Sequence, residues 1–179
     1  MRLSEPRVPP LADDELPEVI RKIFTGRPML NVFRTLAHHP DLMQRWLVFG
    51  NHVLAFSTLD PRHRELVILR VGWLCRSGYE WGQHVLIGLE SGLTQEEIDR
   101  IPIGAQADGW SDLDRALLDA TDELHADAFI SDGTWARLAE LDDRQRIDLI
   151  FTIGQYRLVS MALNTLGVQP DPGLPNLPE

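Results

Sequence analysis

The stretch LDPRHRELVILRVGWLCRSGYEWGQHVLIGLESG, residues 59–92, decides the fold because it reads as two helices joined by a break of a few residues. Asp60 suits an N-cap, and Pro61 suits the first helical position, where a missing backbone N–H costs nothing. Apolar residues then recur at helical spacing as far as Leu74. Ser77-Gly78 interrupts the pattern, YEWGQHVLIGLE resumes it, and Gly92 is placed to stop it. Nothing in the stretch shows the strict alternation of a half-buried strand.

Working outward, the spacing predicts helices over 14–25, 29–38 and 41–57, with Pro28 and Pro40 marking boundaries. Downstream, Thr94-x-x-Glu97 is a capping box for a short helix, and IPIGAQADGW (101–110) reads as a loop. Ser111, with Asp114 three residues on, opens a helix through residue 127, and a short helix is expected around TWARLAEL. The last long helix is capped by Asp142 and stopped by Gly167. The chain is therefore expected to be all-α: one helical bundle over 14–168, an extended leader over 1–13 lying across the surface, and a Pro-rich tail over 169–179 with no core to join.

Composition fits one domain. The chain has 179 residues, 44% of them hydrophobic and 25% charged, enough for a single substantial core. A formal net charge of -10 would repel a phosphate backbone, so nucleic acid is not an expected partner. The N-terminus has no signal-like apolar run, and no segment approaches the roughly 20 apolar residues that span a bilayer. A soluble cytoplasmic protein without a membrane partner is expected. Cys75 is the only cysteine, which excludes an internal disulfide and a CxxC redox pair.

The chemistry-bearing residues gather in the opening stretch. Glu80 and His84 are four apart on the second helix, hence on one face and within contact distance. A carboxylate beside an imidazole orients it, raises its pKa and exchanges protons with it. Glu65 lies on the preceding helix, and a hairpin broken near Ser77 would return it against the pair. A competing reading stands beside this one: Ser77-x-x-Glu80 is itself a capping box, in which Glu80 would only satisfy backbone amides. Arg62, Arg64, Arg70 and Arg76 are candidates to hold a substrate carboxylate, and Arg70 stands out because it interrupts an apolar run and would need a partner if buried. Trp73 and Trp81 read as core or interface side chains. No HExxH, His cluster or Cys/His spacing suggests a metal, and no Gly-rich phosphate loop suggests a nucleotide or flavin.

Residues LDPRHRELVILRVGWLCRSGYEWGQHVLIGLESGLTQEEI resemble the carboxymuconolactone decarboxylase family, which shares its fold with the alkylhydroperoxidase D-like proteins. The resemblance extends to LNVFRTLAHHPDLMQRWLVFGNHV and IGQYRLVSMALNTLGV, covering about residues 29–168. Redox members of that superfamily carry a glutamate and then CxxCxxxH. Laid on this sequence, the glutamate falls on Glu65, the two thiols on Ser77 and Glu80, and the histidine on His84. A serine and a carboxylate cannot cycle through sulfenic acid and disulfide, so the resemblance points to the branch without the cysteine pair.

For that branch the resemblance implies a cofactor-free and metal-free decarboxylation or related lyase or isomerase step on a small carboxylated lactone or other carbon acid. His84 would be the proton donor, Glu80 would tune it, and Glu65 would be the second acid/base or orienting group. Arg70, His52, Tyr156 and Asn164 would line the substrate site, and the family implies a homo-oligomer, a trimer or hexamer. Two other readings remain: an alkylhydroperoxidase-like antioxidant protein, disfavoured by the missing thiols, and a catalytically silent oligomer that binds a small acid.

Overall fold

The computed structural model describes residues 2–178, and among them regular structure is helical throughout, with no strand. Nine α-helices follow in chain order: α1 (Glu18–Ile23), α2 (Asn31–Leu36), α3 (Pro40–Asn51), α4 (Pro61–Leu74), α5 (Gly78–Glu90), α6 (Gln95–Arg100), α7 (Asp112–Asp127), α8 (Asp132–Arg137) and α9 (Asp143–Leu166). Among the described residues no helix is long and apolar enough to cross a membrane.

The start signals of the opening stretch operate as its sequence demands. Asp60 accepts from the Arg62 amide at 2.9 Å, and Pro61 occupies the first turn of α4. Capping boxes form at Thr94/Glu97, Ser111/Asp114 and Asp142/Gln145, each satisfying amides that a helix N-terminus leaves free.

α4 is the centre of the molecule. It packs against α5, α7 and α9 at once, which is why it is buried all round from Arg64 to Gly72 rather than along one stripe. Leu66, Val67, Ile68, Leu69 and Val71 are each 0% exposed, and burying these five side chains contributes on the order of 10 kcal/mol of gross hydrophobic stabilisation. α5 returns antiparallel to α4 after a tight stop in which Arg76 takes the left-handed conformation (φ 50°) and the Ser77 amide donates to Gly72 O at 2.8 Å. A smaller cluster around Ile20, Ala37 and Met43 holds α1 to α3 beside the main bundle.

The structure departs from the sequence reading in four places. α1 is only Glu18–Ile23, because residues 12–15 form a turn and Pro17 precedes the helix. α3 stops at Asn51 and continues as a π-helical turn over His52–Phe56, which re-aims the chain before Ser57. The 101–110 segment is built into the core: it contains a 3₁₀ turn (Gly104–Gln106), and Ile101, Ala105, Ala107 and Trp110 are buried.

The tail also joins the fold. Leu177 packs against the main core, and the Asp171 carboxylate accepts from Tyr79 Oη at 2.6 Å, Gln83 Nε2 at 2.9 Å and the Asn31 amide at 3.0 Å. It passes over Gly82, where an added Cβ would meet Pro175 O at 2.9 Å and Leu174 Cβ at 3.0 Å. The leader does lie along the surface, pinned by the Arg7 and Val8 amides donating to Leu166 O.

Candidate functional site

The α4/α5 hairpin brings Glu65, Glu80 and His84 into one buried line. His84 Nδ1–H donates to Glu65 Oε2 at 2.6 Å, and His84 Nε2 lies 3.4 Å from Glu80 Oε2. At the other end, Arg64 Nε donates to the second Glu65 oxygen at 2.9 Å. The order is therefore guanidinium, carboxylate, imidazole, carboxylate. Exposure is slight along the whole line: Arg64 keeps 9%, Glu65 0%, His84 5% and Glu80 6%.

The electrostatics of the two carboxyls are pushed apart. Burial alone would raise Glu65, but the charge and hydrogen bond of His84, together with Arg64, outweigh it and hold the carboxyl below its ordinary value. Burial dominates at Glu80: despite the attraction of His84, and with Glu65 repelling, its carboxyl is pushed up to about 7. Burial lowers the His84 imidazole, but the charge and hydrogen bond of Glu65, with Glu80, more than reverse this, and the imidazole ends above its ordinary value. A carboxylate held low, an imidazole held high and a carboxyl poised near neutrality are thus aligned. Such divergence marks acid/base assignments.

Tyr156, on α9, closes one side of the site. Its ring meets the His84 ring edge-on at 4.8 Å, and burial followed by the Glu80 and Glu65 charges raises its phenol well above the ordinary value, so it stays protonated. Thr152 and Ser160, one turn either side of Tyr156, are fully buried on the same helical face; the Thr152 hydroxyl has no hydrogen-bond partner, and Ser160 lies against the Cys75 thiol.

The capping reading of Glu80 is not realised. Ser77 makes no side-chain cap, its hydroxyl is buried without a partner, and the Glu80 carboxylate faces His84 instead. Trp73 and Trp81 pack edge to face in the core at 6.3 Å.

Three expected lining residues are engaged elsewhere. Arg70 is buried, but its Nε and Nη2 donate to Asp122 at 2.7 Å each and its Nη1 to Ile101 O and Pro102 O at 2.6 and 3.0 Å. Four of a guanidinium's five donors are thereby used in holding α4 to α7 and to the 101–102 turn. Gly104, at φ 82°, leaves room for that guanidinium, since a Cβ there would come within 2.6 Å of Nη2. His52 is exposed and faces Asp148 at 3.3 Å, and Asn164 donates to Cys75 O at 2.9 Å. Arg62 is held by Glu97 and Asp114. Arg64 is the cation of the line. Nothing in the sequence singled it out from its three neighbours, because adjacent residues on a helix point about 100° apart and do not ordinarily pair.

Residues 40–123 match the model of the Carboxymuconolactone decarboxylase family, the segment that supplies Arg64, Glu65, Glu80 and His84. No curated protein matches the chain. Solved structures share its fold. An alkylhydroperoxidase AhpD core protein from Ralstonia eutropha JMP134, described as an uncharacterized peroxidase-related protein, is 22% identical with a TM-score of 0.80 over 93% of both chains. An uncharacterized peroxidase-related protein from Silicibacter sp. TM1040 is 17% identical with a TM-score of 0.80, covering 95% of this chain and 96% of its own. A variant of the debrominase Bmp8 in complex with 2,3,4-tribromopyrrole is 15% identical with a TM-score of 0.75 over 94% of both chains.

Proposed function

We infer, from the carboxymuconolactone decarboxylase family segment at residues 40–123 and the charge order of its buried line, that this chain is a side-chain acid/base enzyme that decarboxylates, or otherwise protonates, a small carboxylated lactone or related carbon acid. The observation that carries the reading is the alignment Glu65, His84, Glu80, with a 2.6 Å bond fixing the imidazole at one end and a carboxyl near neutral pKa at the other. A structural ion pair needs only the first half of that arrangement.

In the proposed step Glu65, anionic throughout, holds Nδ1–H and orients Nε2 toward Glu80. The substrate's C–C bond to its carboxylate breaks, carbon dioxide departs, and the electron pair enters the conjugated lactone as a dienolate. His84 Nε2–H delivers a proton to the carbon, and Glu80, protonated about half the time near pH 7, restores it. The Glu80 contact at 3.4 Å is loose enough to be exchanged for a substrate atom.

A dithiol peroxidase reading finds no support in the residues, since Ser77 and Glu80 stand where two thiols would be required. The test is carbon dioxide release from 4-carboxymuconolactone by the wild type beside His84→Ala. Release by the wild type alone supports the assignment, whereas release unaffected by the substitution removes His84 from the chemistry. Silence in both, extended across other small carboxylated lactones, favours the catalytically silent acid-binding protein.

We propose further that the chain works as a homo-oligomer. α9 presents Ile147, Ile150, Phe151, Leu158 and Met161 to the outside at helical spacing, and Phe49 extends that stripe through an edge-on contact with Phe151 at 6.1 Å. A continuous apolar stripe of this kind suits burial against a second copy.

A further inference from the structure

A second candidate site lies away from the acid/base line, in a cleft of about 660 Å³ between the leader, the end of α4, the end of α7 and the last turns of α9. Its volume is that of small-molecule sites, which run roughly from 300 to 1,000 Å³. Neither Glu65, Glu80 nor His84 lines it.

The charge of the cleft is opposite to that of the chain. The protein has 27 acidic residues against 17 Lys and Arg, yet the cleft wall contains Arg2, Arg7, Arg157 and His125 and no acidic side chain. None of the three arginines forms an ion pair with a described residue. Their hydrogen bonds go to backbone carbonyls only: Arg157 to Leu124 O at 3.0 Å, and Arg7 and Arg2 to Thr165 O and Cys75 O at the long distances of 3.4 and 3.5 Å. Each guanidinium thus keeps donors free, and converging unpaired guanidiniums favour an anion strongly, above all a planar carboxylate that accepts two parallel bonds.

The remaining wall mixes Leu3, Leu74 and Met161, which suit the carbon body of an organic anion, with Cys75, Asn164 and Thr165. The leader that contributes Arg2 and Arg7 is held in place, with the Arg7 and Val8 amides on Leu166 O and Gln169 Nε2 on Leu3 O at 3.3 Å.

We propose that this cleft binds a small organic carboxylate, with Arg157 as its central ligand and Arg2 and Arg7 closing over it from the leader. Neither the cleft nor its ligand class depends on the decarboxylase reading.

The sole cysteine makes the test site-specific, because Cys75 is half-buried in the cleft wall and alkylation reports occupancy there alone. The full chain is titrated calorimetrically with trans,trans-muconate and with inorganic phosphate, and the rate of Cys75 alkylation by iodoacetamide is followed in parallel. Muconate is expected to bind one per chain and to slow alkylation. Arg157→Gln, and separately the surface pair Arg2→Ser with Arg7→Ser, should each weaken binding by at least about tenfold, with phosphate far weaker than muconate. His84→Ala should bind as the wild type does. No binding, no protection of Cys75, affinity unchanged in both arginine variants, phosphate binding as tight as muconate, or loss of binding in His84→Ala would each overturn the assignment.

Discussion

Glu80 sets the pH behaviour of the site, and the sign follows from which state holds the proton. Its folded pKa of about 7 lies above its ordinary value of 4.5, so between these pH values the folded chain binds more protons than the unfolded one. The stabilisation from keeping Glu80 protonated is therefore complete below about pH 4.5 and is lost as pH rises through 7, a difference on the order of 3 kcal/mol. Glu80→Gln should flatten that dependence, raising the melting temperature at pH 8 relative to wild type but not at pH 5, while removing turnover. A carboxylate that served as a helix cap would give the opposite, a loss of stability at neutral pH. Glu65→Gln should behave differently again: Arg64 and His84 lose their buried counter-charge, and breaking such a pair typically costs about 3–5 kcal/mol. Thermal unfolding of the two variants across pH separates the poised carboxyl from the fixed one. Arg70 belongs with the fixed groups, so Arg70→Met should lower the melting temperature and leave the substrate KM unchanged in whatever protein remains folded.

Among the elements, the hairpin of α4 and α5 was the most legible in the sequence, for reasons of locality. Asp60, Pro61 and Gly92 act on backbone within a few residues of themselves, and the Glu80/His84 pair is set by helical spacing alone. The position of Glu65 required one further step, the return of α5 along α4, which the break at Ser77-Gly78 supplied. What stayed hidden is non-local or against the usual pattern: Asp171 reaches residues 88, 92 and 140 positions away, the π-helical turn after Asn51 has no local marker, and Arg64 pairs with its own neighbour. The tail crosses α5 at Gly82, on the helical face opposite to Glu80 and His84. Gly82→Ala would drive a Cβ to 2.9 Å from Pro175 O, so the tail must lift while the helix itself gains from the more helix-favouring residue. The expected result is faster proteolytic removal of residues beyond Val168, with far-ultraviolet helicity unchanged. A tail that stays protected would mean that α5, rather than the tail, gives way.

At the scale of the whole molecule, the proposal of a homo-oligomer rests on the apolar surface that the bundle leaves on one side. α9 is buried along Leu149, Thr152, Tyr156 and Leu163 and exposed along Ile147, Phe151, Leu158 and Met161, so both of its faces are built for contact. Phe151 is 55% exposed and Phe56 67%, side chains that would each gain roughly 1.5–3 kcal/mol on full burial. Phe151→Glu sits on the outward face, away from the Tyr156 ring that touches His84; if the proposed oligomer forms, this substitution should convert it to folded monomers by light scattering. Such a monomer also separates two roles of the interface. Carbon dioxide release that survives dissociation places the whole acid/base step within one chain, as the Glu65, His84 and Glu80 line suggests. Activity lost on dissociation, and regained at high protein concentration, would instead mean that a second copy completes the substrate site beside the 5–6% of His84 and Glu80 that reaches the surface.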